Sequence, residues 1–318
     1  MKLTPRVVLT GGLGNQLFQY AFALHLSHML RRRVWLSQGL GVPRSTIPGR
    51  ADIDFYQLNE NIELDNPRTC DSIRRKFFNF VHVKTLQQDY SFTGKNTSRM
   101  YRFFTSVIIS ILDLKVSRIS VSDDLGYVDN PCAARARYHI GYFQTYKYLA
   151  DSDVLQQLRN LKLKSVGPEL KSLVQESKTQ EILILHVRLT DYLLHPDFGT
   201  LDAKYYERAI KIAKKDFHFE RIWVFSDDIL MAKRKIQFLD QENVRFISEV
   251  DNSPAATLEA MRLGNNYIIA NSTFSWWSAM LSRDPRAKVI APEPWFSSMR
   301  DPKDLIPPNW VRISREHK

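Results

Sequence analysis

The sequence is poor in cysteine and has no long apolar run. Only Cys70 and Cys132 occur among 318 residues, with no C-x-x-C pair and no Cys/His metal spacing, so neither a disulfide scaffold nor a cysteine-based metal centre is indicated. The apolar run Val107–Leu112 is too short to cross a bilayer. Gly11–Gln19 interrupts the apolar stretch that an export signal near the N-terminus would need. We therefore expect a cytoplasmic protein.

Acidic residues are outnumbered: 34 Asp and Glu stand against 45 Lys and Arg, for a formal net charge of +11. Such a balance predicts an anionic partner, namely nucleotide-sugar phosphates, a membrane surface or nucleic acid, although a solvated basic surface explains it equally well. The basic and aromatic segment Arg74–Arg102 predicts peripheral contact with an anionic membrane at its inner face, with a solvated surface over a helical core as the alternative. No RNA- or DNA-binding signature occurs, which disfavours a nucleic-acid-binding protein.

Two parts of the chain show the alternation of strands and helices that predicts an α/β fold with parallel sheets. The first 37 residues predict strand Val7–Leu9, a helix and strand Val34–Leu36. In the second part, the predicted strands are Glu181–Val187, Arg221–Phe225, Val244–Ile247, Tyr267–Ala270 and Lys288–Ala291. The predicted helices between them are Ala203–Lys215, Ile229–Phe238, Pro254–Leu263 and Ser275–Leu281.

Residues from about 50 to 150 predict mixed α structure, with helical fragments at Ser72–Phe80 and Met100–Leu114. A domain boundary is predicted near Lys164–Glu176, which is polar and contains Gly167 and Pro168. We therefore expect an N-terminal domain over residues 1–165, with the glycine loop and an α-rich insertion, and a C-terminal domain over residues 166–318.

The first candidate motif is the run Gly11-Gly12-Leu13-Gly14-Asn15-Gln16, between the first strand and its helix. Glycines let a ligand approach the backbone closely, and a helix N-terminus offers N–H groups to an anion. Gly12 and Gly14 fit the first part of a dinucleotide motif. However, Leu17 replaces the third glycine and no acidic residue follows Val34–Leu36, which disfavours an oxidoreductase. A plain glycine turn is the alternative.

The second and third motifs follow adjacent predicted strands. His186 and Arg188 end an apolar strand on the same side, where the arginine can clamp a diphosphate; a structural Arg–Asp pair is the alternative. Asp227 and Asp228 follow the next strand and either bind a ribose or base edge, or cap the next helix.

The fourth motif is the run Ser272-Thr273-Phe274 between a strand and a helix. The hydroxyls and backbone N–H groups suit a phosphate and the aromatic ring suits a purine, with helix caps as the alternative. Two D-x-D spacings, Asp52 to Asp54 and Asp151 to Asp153, follow no buried strand, so we predict no metal site. The four motifs together predict a nucleotide-diphosphate site between two α/β domains.

These motifs resemble glycosyltransferase family 11, in particular its bacterial α1,2-fucosyltransferases. Gly11–Ala21 is similar to the family's N-terminal signature, Ala270–Trp277 to its C-terminal signature and His186–Tyr192 to its H-x-R-R-x-D element. The resemblance implies a GT-B fold of two Rossmann-like domains with a donor and acceptor cleft between them. It also implies inverting, metal-independent transfer of L-fucose from GDP-fucose to a galactoside hydroxyl in α1,2 linkage. The acceptor would be a galactose-terminated, lipid-linked oligosaccharide of a cell-surface glycan such as O-antigen, and no cofactor would be needed.

The resemblance also implies roles for individual residues. Arg188, beside His186, would hold the donor diphosphate, while Asn15 would reach the reaction centre. Asp191 is one candidate general base, or it orients Arg188. The implied donor-binding residues are Gly12, Gly14, Gln16, His186, Asp227, Asp228, Ser272, Thr273 and Phe274. Leu189 stands where the family has a second arginine, which leaves another GDP-6-deoxy sugar such as colitose open as the donor.

Overall fold

The computed structural model describes residues 4–38, 50–65, 119–121, 126–127, 136–190, 198–239 and 243–315. The chain divides into two compact units, one of Met1–Leu161 with Pro302–Leu305 and one of Lys162–Asp301 with Ile306–Lys318. Each unit has its own sheet, and the strands paired within that sheet are parallel. The predicted α/β class with parallel sheets is confirmed.

The described elements of the first unit are short strands, α-helices and 3-10 helices. They are β1 (Arg6–Val8), α1 (Leu13–Leu30), β2 (Val34–Ser37), a 3-10 helix (Asp52–Phe55), β3 (Tyr56–Gln57), β4 (Ile62–Leu64), β5 (Ile119–Val121), β6 (Tyr138–Ile140), a second 3-10 helix (Lys147–Leu149) and α2 (Ser152–Arg159). The five-stranded sheet has the order β4-β2-β1-β6-β5. From β1 the chain adds β2 and β4 on one side, whereas β5 and β6 lie on the other side. The strand order therefore reverses between β1 and β6.

Helix α1 is the centre of the first unit's core. Its sequence is apolar around most of its circumference, and thirteen of its 18 residues are buried, as expected for a helix with protein on all sides. It ends at Arg31, whose backbone is left-handed with φ 50° and whose N–H bonds to the last turn. This end lies at the basic run Arg31–Arg33 that predicted it.

The prediction of mixed α structure for residues 50–150 is wrong for the part that the structure describes. Strands β4, β5 and β6 lie in this region and supply three of the five strands of the first sheet. Each is only three residues long, too short for its side-chain alternation to be recognised. The predicted helices Ser72–Phe80 and Met100–Leu114 lie outside the described residues.

The second unit alternates strands and helices almost regularly. Its elements are β7 (Lys162–Leu163), α3 (Pro168–Glu176), β8 (Ile182–Val187), α4 (Ala203–Asp216), β9 (Arg221–Ser226), α5 (Ile229–Lys235), β10 (Val244–Ile247), α6 (Pro254–Met261), β11 (Asn266–Ile268), α7 (Thr273–Met280), β12 (Lys288–Glu293) and β13 (Val311–Ser314). The six-stranded sheet has the order β10-β9-β8-β11-β12-β13. This is the 3-2-1-4-5-6 order of dinucleotide-binding folds, in which ligands bind where the order reverses, here between β8 and β11.

The core of the second unit explains the central place of β8. All six residues of β8 are buried, as expected for a parallel strand covered on both faces. Tyr205, Tyr206 and Ala209 of α4 belong to the same buried apolar cluster as Leu183 and Leu185 of β8. At roughly 1.5–3 kcal/mol for each fully buried large apolar side chain, this packing fixes the end of β8 firmly.

The polar stretch Lys164–Glu176, near which the sequence predicts a domain boundary, contains a helix. Gly167 and Pro168 begin α3, with proline in the first turn, where its missing N–H costs nothing. The Asp251 carboxylate caps this helix from a distant loop, since its oxygens accept from the N–H groups of Glu169 and Leu170 at 3.0 and 3.1 Å. The units divide between Leu161 and Lys162, and Pro302–Leu305 belong with the first unit rather than with residues 166–318.

Candidate functional site

Two of the predicted motifs lie on either side of the reversal point in the second sheet. His186 and Arg188 end β8, whereas Ser272 and Phe274 follow β11, which pairs with β8 through Leu185 and Ile268. The imidazole of His186 and the ring of Phe274 are 6.5 Å apart, centroid to centroid, and are tilted by 40°. The structure thus brings the second and fourth motifs together at the position where such sheets bind nucleotides.

Asp227 holds the loop that follows β8. One carboxylate oxygen accepts from the Leu189 N–H at 3.0 Å, and the other accepts from the Thr190 N–H at 3.0 Å and from its hydroxyl at 2.5 Å. The second oxygen also lies 3.5 Å from Nε of Arg188. The parallel pairing of β8 with β9 places Asp227 opposite this loop, since Val187 pairs with Ser226. Asp227 therefore orients Arg188, a pairing with an acid of the third motif that the sequence did not indicate.

Arg188 and Leu189 face different surroundings. The Arg188 side chain is 28% exposed, so part of it is accessible to an anion in solution. Leu189 is 1% exposed and belongs to the apolar core. An arginine at position 189 would place its charge among apolar side chains in this fold, which gives a physical reason for the leucine in the family's second arginine position.

Asp228 caps a helix, whereas its neighbour Asp227 holds the loop after β8. Its backbone is extended, and its carboxylate accepts from the Met231 N–H at 2.9 Å, so that it is the N-cap of α5. The Ser226 hydroxyl bonds to the Asp228 backbone at 3.1 Å. Of the two roles left open by the sequence, the structure shows the cap for Asp228. A contact with the nucleoside stays a prediction.

Ser272 begins α7 with its side chain turned to the helix. Its hydroxyl accepts from the Phe274 N–H at 3.3 Å, and the residue is 5% exposed. Thr273 and Phe274 are half-buried, so they are more accessible than the serine that caps them. The helix N-terminus is consequently fixed beside β8, where its partial positive charge favours an anion.

Two tyrosines of α4, which the motifs did not indicate, hold the backbone on both sides of this site. The Tyr205 hydroxyl donates to the Ile269 carbonyl at 2.8 Å, and the Tyr206 hydroxyl donates to the His186 carbonyl at 3.2 Å. Burial raises the pKa of both tyrosines well above the ordinary value, so both remain neutral donors. They fix the ends of the chain segments on both sides of the reversal point, and the Tyr-Tyr pair in a helical pattern is the only sequence signal for them.

In the first unit, the glycine motif forms the turn between β1 and α1. Gly11 is left-handed with φ +68°, a conformation that glycine adopts at no steric cost. Gly12 is the N-cap of α1, and its carbonyl accepts from the N–H groups of Asn15 and Gln16 at 3.0 and 3.1 Å. Gly14 lies buried in the first turn of α1. Four residues, Leu9 to Gly12, therefore connect the end of β1 to the start of α1.

Gln16 and Gln19 are buried and bind this turn from the protein side. The Gln16 amide donates to the Gly11 carbonyl at 2.9 Å and accepts from the Ile53 N–H at 2.9 Å. The Gln19 amide bonds to Thr10 and donates to the Gly141 carbonyl at 3.0 Å, across the reversal point of the first sheet. The Gln16 side chain is thus used to hold the turn, which gives no support to its predicted contact with the donor.

Asn15, in contrast, is half-buried at the start of α1 and bonds to Gln144, a residue that the motifs missed. Asp191 and the segment Arg74–Arg102 lie outside the described residues. Within the described ranges, no group of three metal-ligating side chains is present. No helix of these ranges is long and apolar enough to cross a membrane.

Comparisons with known proteins agree with this geometry. A sequence model of glycosyl transferase family 11 matches residues 117–314. The O-antigen biosynthesis glycosyltransferase WbnK of Escherichia coli is 28% identical to this chain, and the match covers 96% of this chain and 99% of WbnK. An alpha-1,2-colitosyltransferase of Escherichia coli is 25% identical, and the match covers 96% and 98% of the two chains.

Solved structures share the fold. The structure of the NodZ alpha-1,6-fucosyltransferase soaked with GDP-fucose matches with a TM-score of 0.50 and 14% identity, over 92% of this chain and 96% of its own. A fucosyltransferase NodZ from Bradyrhizobium matches with a TM-score of 0.50 and 12% identity, over 87% and 93%. At such low identity the likeness concerns the fold alone, and it confirms the predicted GT-B type.

Proposed function

Since the chain belongs to glycosyltransferase family 11, we propose that it transfers L-fucose from GDP-fucose to a galactoside hydroxyl in α1,2 linkage. The similarity to an O-antigen biosynthesis glycosyltransferase supports a cell-surface glycan as the product. The acceptor is then a galactose-terminated oligosaccharide, which a lipid carrier presents at the inner face of the membrane.

One arrangement carries the proposal. The guanidinium of Arg188, held by Asp227, lies at the end of β8, and the N-terminus of α7 lies at the end of the neighbouring strand. A guanidinium binds phosphate oxygens in a bidentate manner, and a helix N-terminus offers N–H groups to the same kind of ligand. A guanidinium and a helix N-terminus with its partial positive charge together suit a diphosphate, with Phe274 available to stack on the guanine.

The proposed reaction is a displacement at C1 of fucose. The acceptor oxygen attacks C1 of fucose, the bond between C1 and the diphosphate oxygen breaks, and GDP leaves with the electron pair. The developing charge on GDP is stabilised by Arg188 and by the N–H groups at the start of α7. The acceptor proton passes to a general base, for which Asp191 remains our candidate, and Asn15 contacts the reacting sugar.

No divalent cation is required in this proposal. Metal-dependent transferases neutralise the leaving diphosphate with a cation, whereas here the guanidinium and the helix N-terminus supply the positive charge. We therefore expect the transfer to be insensitive to EDTA.

A second donor is favoured by a specific observation. One relative with 25% identity over nearly the whole chain is an alpha-1,2-colitosyltransferase, and the second arginine of the family element is Leu189 here. GDP-colitose is consequently the alternative donor, with the same mechanism and the same residues at the diphosphate.

The test is product formation from GDP-fucose or GDP-colitose with a panel of β-galactoside acceptors, with and without EDTA, followed by mass and linkage analysis. An α1,2-fucosylated product that EDTA does not reduce supports the proposal. Product from GDP-colitose alone supports the second donor. Neither product nor GDP binding, together with salt-dependent binding of RNA, would overturn the proposal in favour of a nucleic-acid-binding protein.

A further inference from the structure

The reversal point of the first sheet brings together two amide side chains from separate loops. Asn15 follows β1 and Gln144 follows β6, the strand that pairs with β1. Nε2 of Gln144 donates to Oδ1 of Asn15 at 3.1 Å. Gln144 is 6% exposed, so this bond is largely shielded from water. The ends of these two strands are where a ligand is expected in this sheet, by the rule that applies to the second unit.

The orientation of the Asn15 amide is set by its bond to Gln144, and the space for it is left by Gly11. Its oxygen accepts from Gln144, and its Nδ2 lies 2.4 Å from the position that a Cβ on Gly11 would occupy. Only glycine leaves room for the amide nitrogen there. Without the donor of Gln144, nothing in this geometry distinguishes the oxygen of the Asn15 amide from its nitrogen.

The turn that carries Gln144 holds a residue in a strained conformation. Phe143 is buried and left-handed with φ 54°, a conformation that is unfavourable for a bulky side chain. Its ring stacks on that of Phe22 with centroids 3.9 Å apart. The Thr145 N–H bonds to the Phe143 carbonyl at 3.0 Å, so Gln144 is the central residue of a three-residue turn. Strain that the surroundings maintain is typical of functional sites.

The segment Pro302–Leu305, which returns to the first unit, maintains this turn. The Asp304 carbonyl accepts from the Thr145 hydroxyl and from the Tyr146 N–H, both at 3.0 Å. The Asp304 carboxylate pairs with Lys147 at 2.7 Å. The position of Gln144 is therefore determined by a distant part of the sequence as well as by its own strand.

Gln144 also has unused hydrogen-bonding capacity. Its Oε1 is buried and has no hydrogen-bond partner among the residues that the structure describes. A buried oxygen without a hydrogen-bond donor is unfavourable, and a sugar hydroxyl is a donor of the kind that it lacks.

We propose that Gln144 positions Asn15 through Nε2 and accepts a hydrogen bond from a sugar hydroxyl through Oε1. The inference rests on the proposed function, because it takes the ligand of Asn15 to be a sugar. That hydroxyl belongs to the donor or to the acceptor, and separate KM values distinguish the two sources.

The experiment makes Gln144→Glu and Gln144→Leu in two backgrounds. One background keeps Asn15, and the other carries Asn15→Ala. Gln144→Glu keeps an oxygen but cannot donate to Asn15, so we expect kcat to fall about tenfold, as for one lost hydrogen bond. In the Asn15→Ala protein, adding Gln144→Glu should not lower kcat below the kcat of Asn15→Ala itself. Gln144→Leu also removes the acceptor, and the KM of either the donor or the acceptor should rise about tenfold.

Gln157→Leu is the matched control. Gln157 also lies in the first unit, its Nε2 lies 3.0 Å from Nε2 of His28 and its Oε1 likewise has no partner within the described residues. His28 is thirteen residues along α1 from Asn15, about 20 Å at 1.5 Å per residue. This variant should keep the wild-type kcat and KM.

The inference would be overturned if Gln144→Glu left kcat unchanged. It would also be overturned if Gln144→Glu lowered kcat by the same factor in the wild type and in Asn15→Ala. In both cases the proposed function stands. A wild type without turnover on any GDP-sugar would contradict the proposed function instead. In that case the side-chain amide resonances of Asn15 test the positioning of Asn15 by Gln144 without turnover. They should shift in Gln144→Glu and stay in place in Gln157→Leu, and unshifted resonances in both variants would overturn it.

Discussion

Asp227 and Asp228 are adjacent acids with different roles, and the same substitution at each should separate them. In Asp227→Asn, an amide nitrogen replaces one of two oxygens that accept from Leu189 and Thr190. That nitrogen then faces a donor, so the bonds at one oxygen are lost. In Asp228→Asn, the amide oxygen still accepts from Met231, because asparagine and aspartate are equally good N-caps.

The magnitudes follow from these bonds. Hydrogen bonds to a charged group contribute about 1.5–3 kcal/mol, and the Asp227 carboxylate is 16% exposed. We expect Asp227→Asn to lower the free energy of unfolding by about 2 kcal/mol, or Tm by roughly 4–8 °C for a domain of this size. Asp228→Asn should stay within about 0.5 kcal/mol of the wild type. GDP affinity should fall only in Asp227→Asn, because Arg188 loses the carboxylate beside its Nε.

The assay is thermal unfolding by circular dichroism, combined with calorimetric titration of GDP. An equally stable Asp227→Asn protein would refute the role given to its carboxylate. A stable Asp228→Asn protein that binds GDP weakly would show that Asp228 contacts the nucleoside in addition to capping α5.

Three further predictions concern the first unit and the reaction. Gly11→Ala should lower stability by about 1–2 kcal/mol and reduce kcat, because the new Cβ would displace Asn15. Gly12→Ala places its Cβ where no described atom lies within 4 Å, so thermal unfolding should show a smaller loss of about 0.5–1 kcal/mol, because alanine is a poorer N-cap than glycine. Burial lowers the pKa of His139 from 6.5 to about 4, so the unfolded state binds more protons than the folded state between these pH values. The free energy of unfolding should therefore fall by on the order of 3 kcal/mol from pH 6.5 toward 4, and His139→Asn should flatten that profile. EDTA should leave the rate of fucosyl transfer unchanged, and a rate restored by added Mg²⁺ would contradict the charge assignment.

The parts of the fold that the sequence predicts are those with long and regular patterns. Strand β8 has six buried residues, of which five are apolar and the fifth in order is His186, and Arg188 follows directly, so both side chains could be placed at a strand end. The helix start after Asp228 follows from capping chemistry, whereas the helix capped by Ser272 begins at Thr273, two residues before its predicted start. The short strands β4, β5 and β6 carry too few residues to show a period, and they were missed for that reason.

The contacts of the candidate site depend on strand order, which local patterns do not contain. Asp227 reaches the loop after β8 only because β9 lies beside β8 in the sheet. Gln144 reaches Asn15 because β6 pairs with β1, although 129 positions separate the two side chains. Asp304, which bonds to the turn of Gln144, belongs to the first unit although it lies near the C-terminal end of the sequence. Such long-range pairings become visible only in the folded structure.

The central claim is that the strand ends of the second unit bind the diphosphate of a GDP-sugar through Arg188. The direct measurement is calorimetric titration of GDP and of guanosine into the wild type and Arg188→Ala, with Tm recorded for both proteins. We predict that Arg188→Ala weakens GDP about a hundredfold, as for lost charge-assisted bonds, while the weak affinity for guanosine stays unchanged. Equal GDP affinity in the two proteins, at equal Tm, would contradict the assignment of Arg188 to the diphosphate.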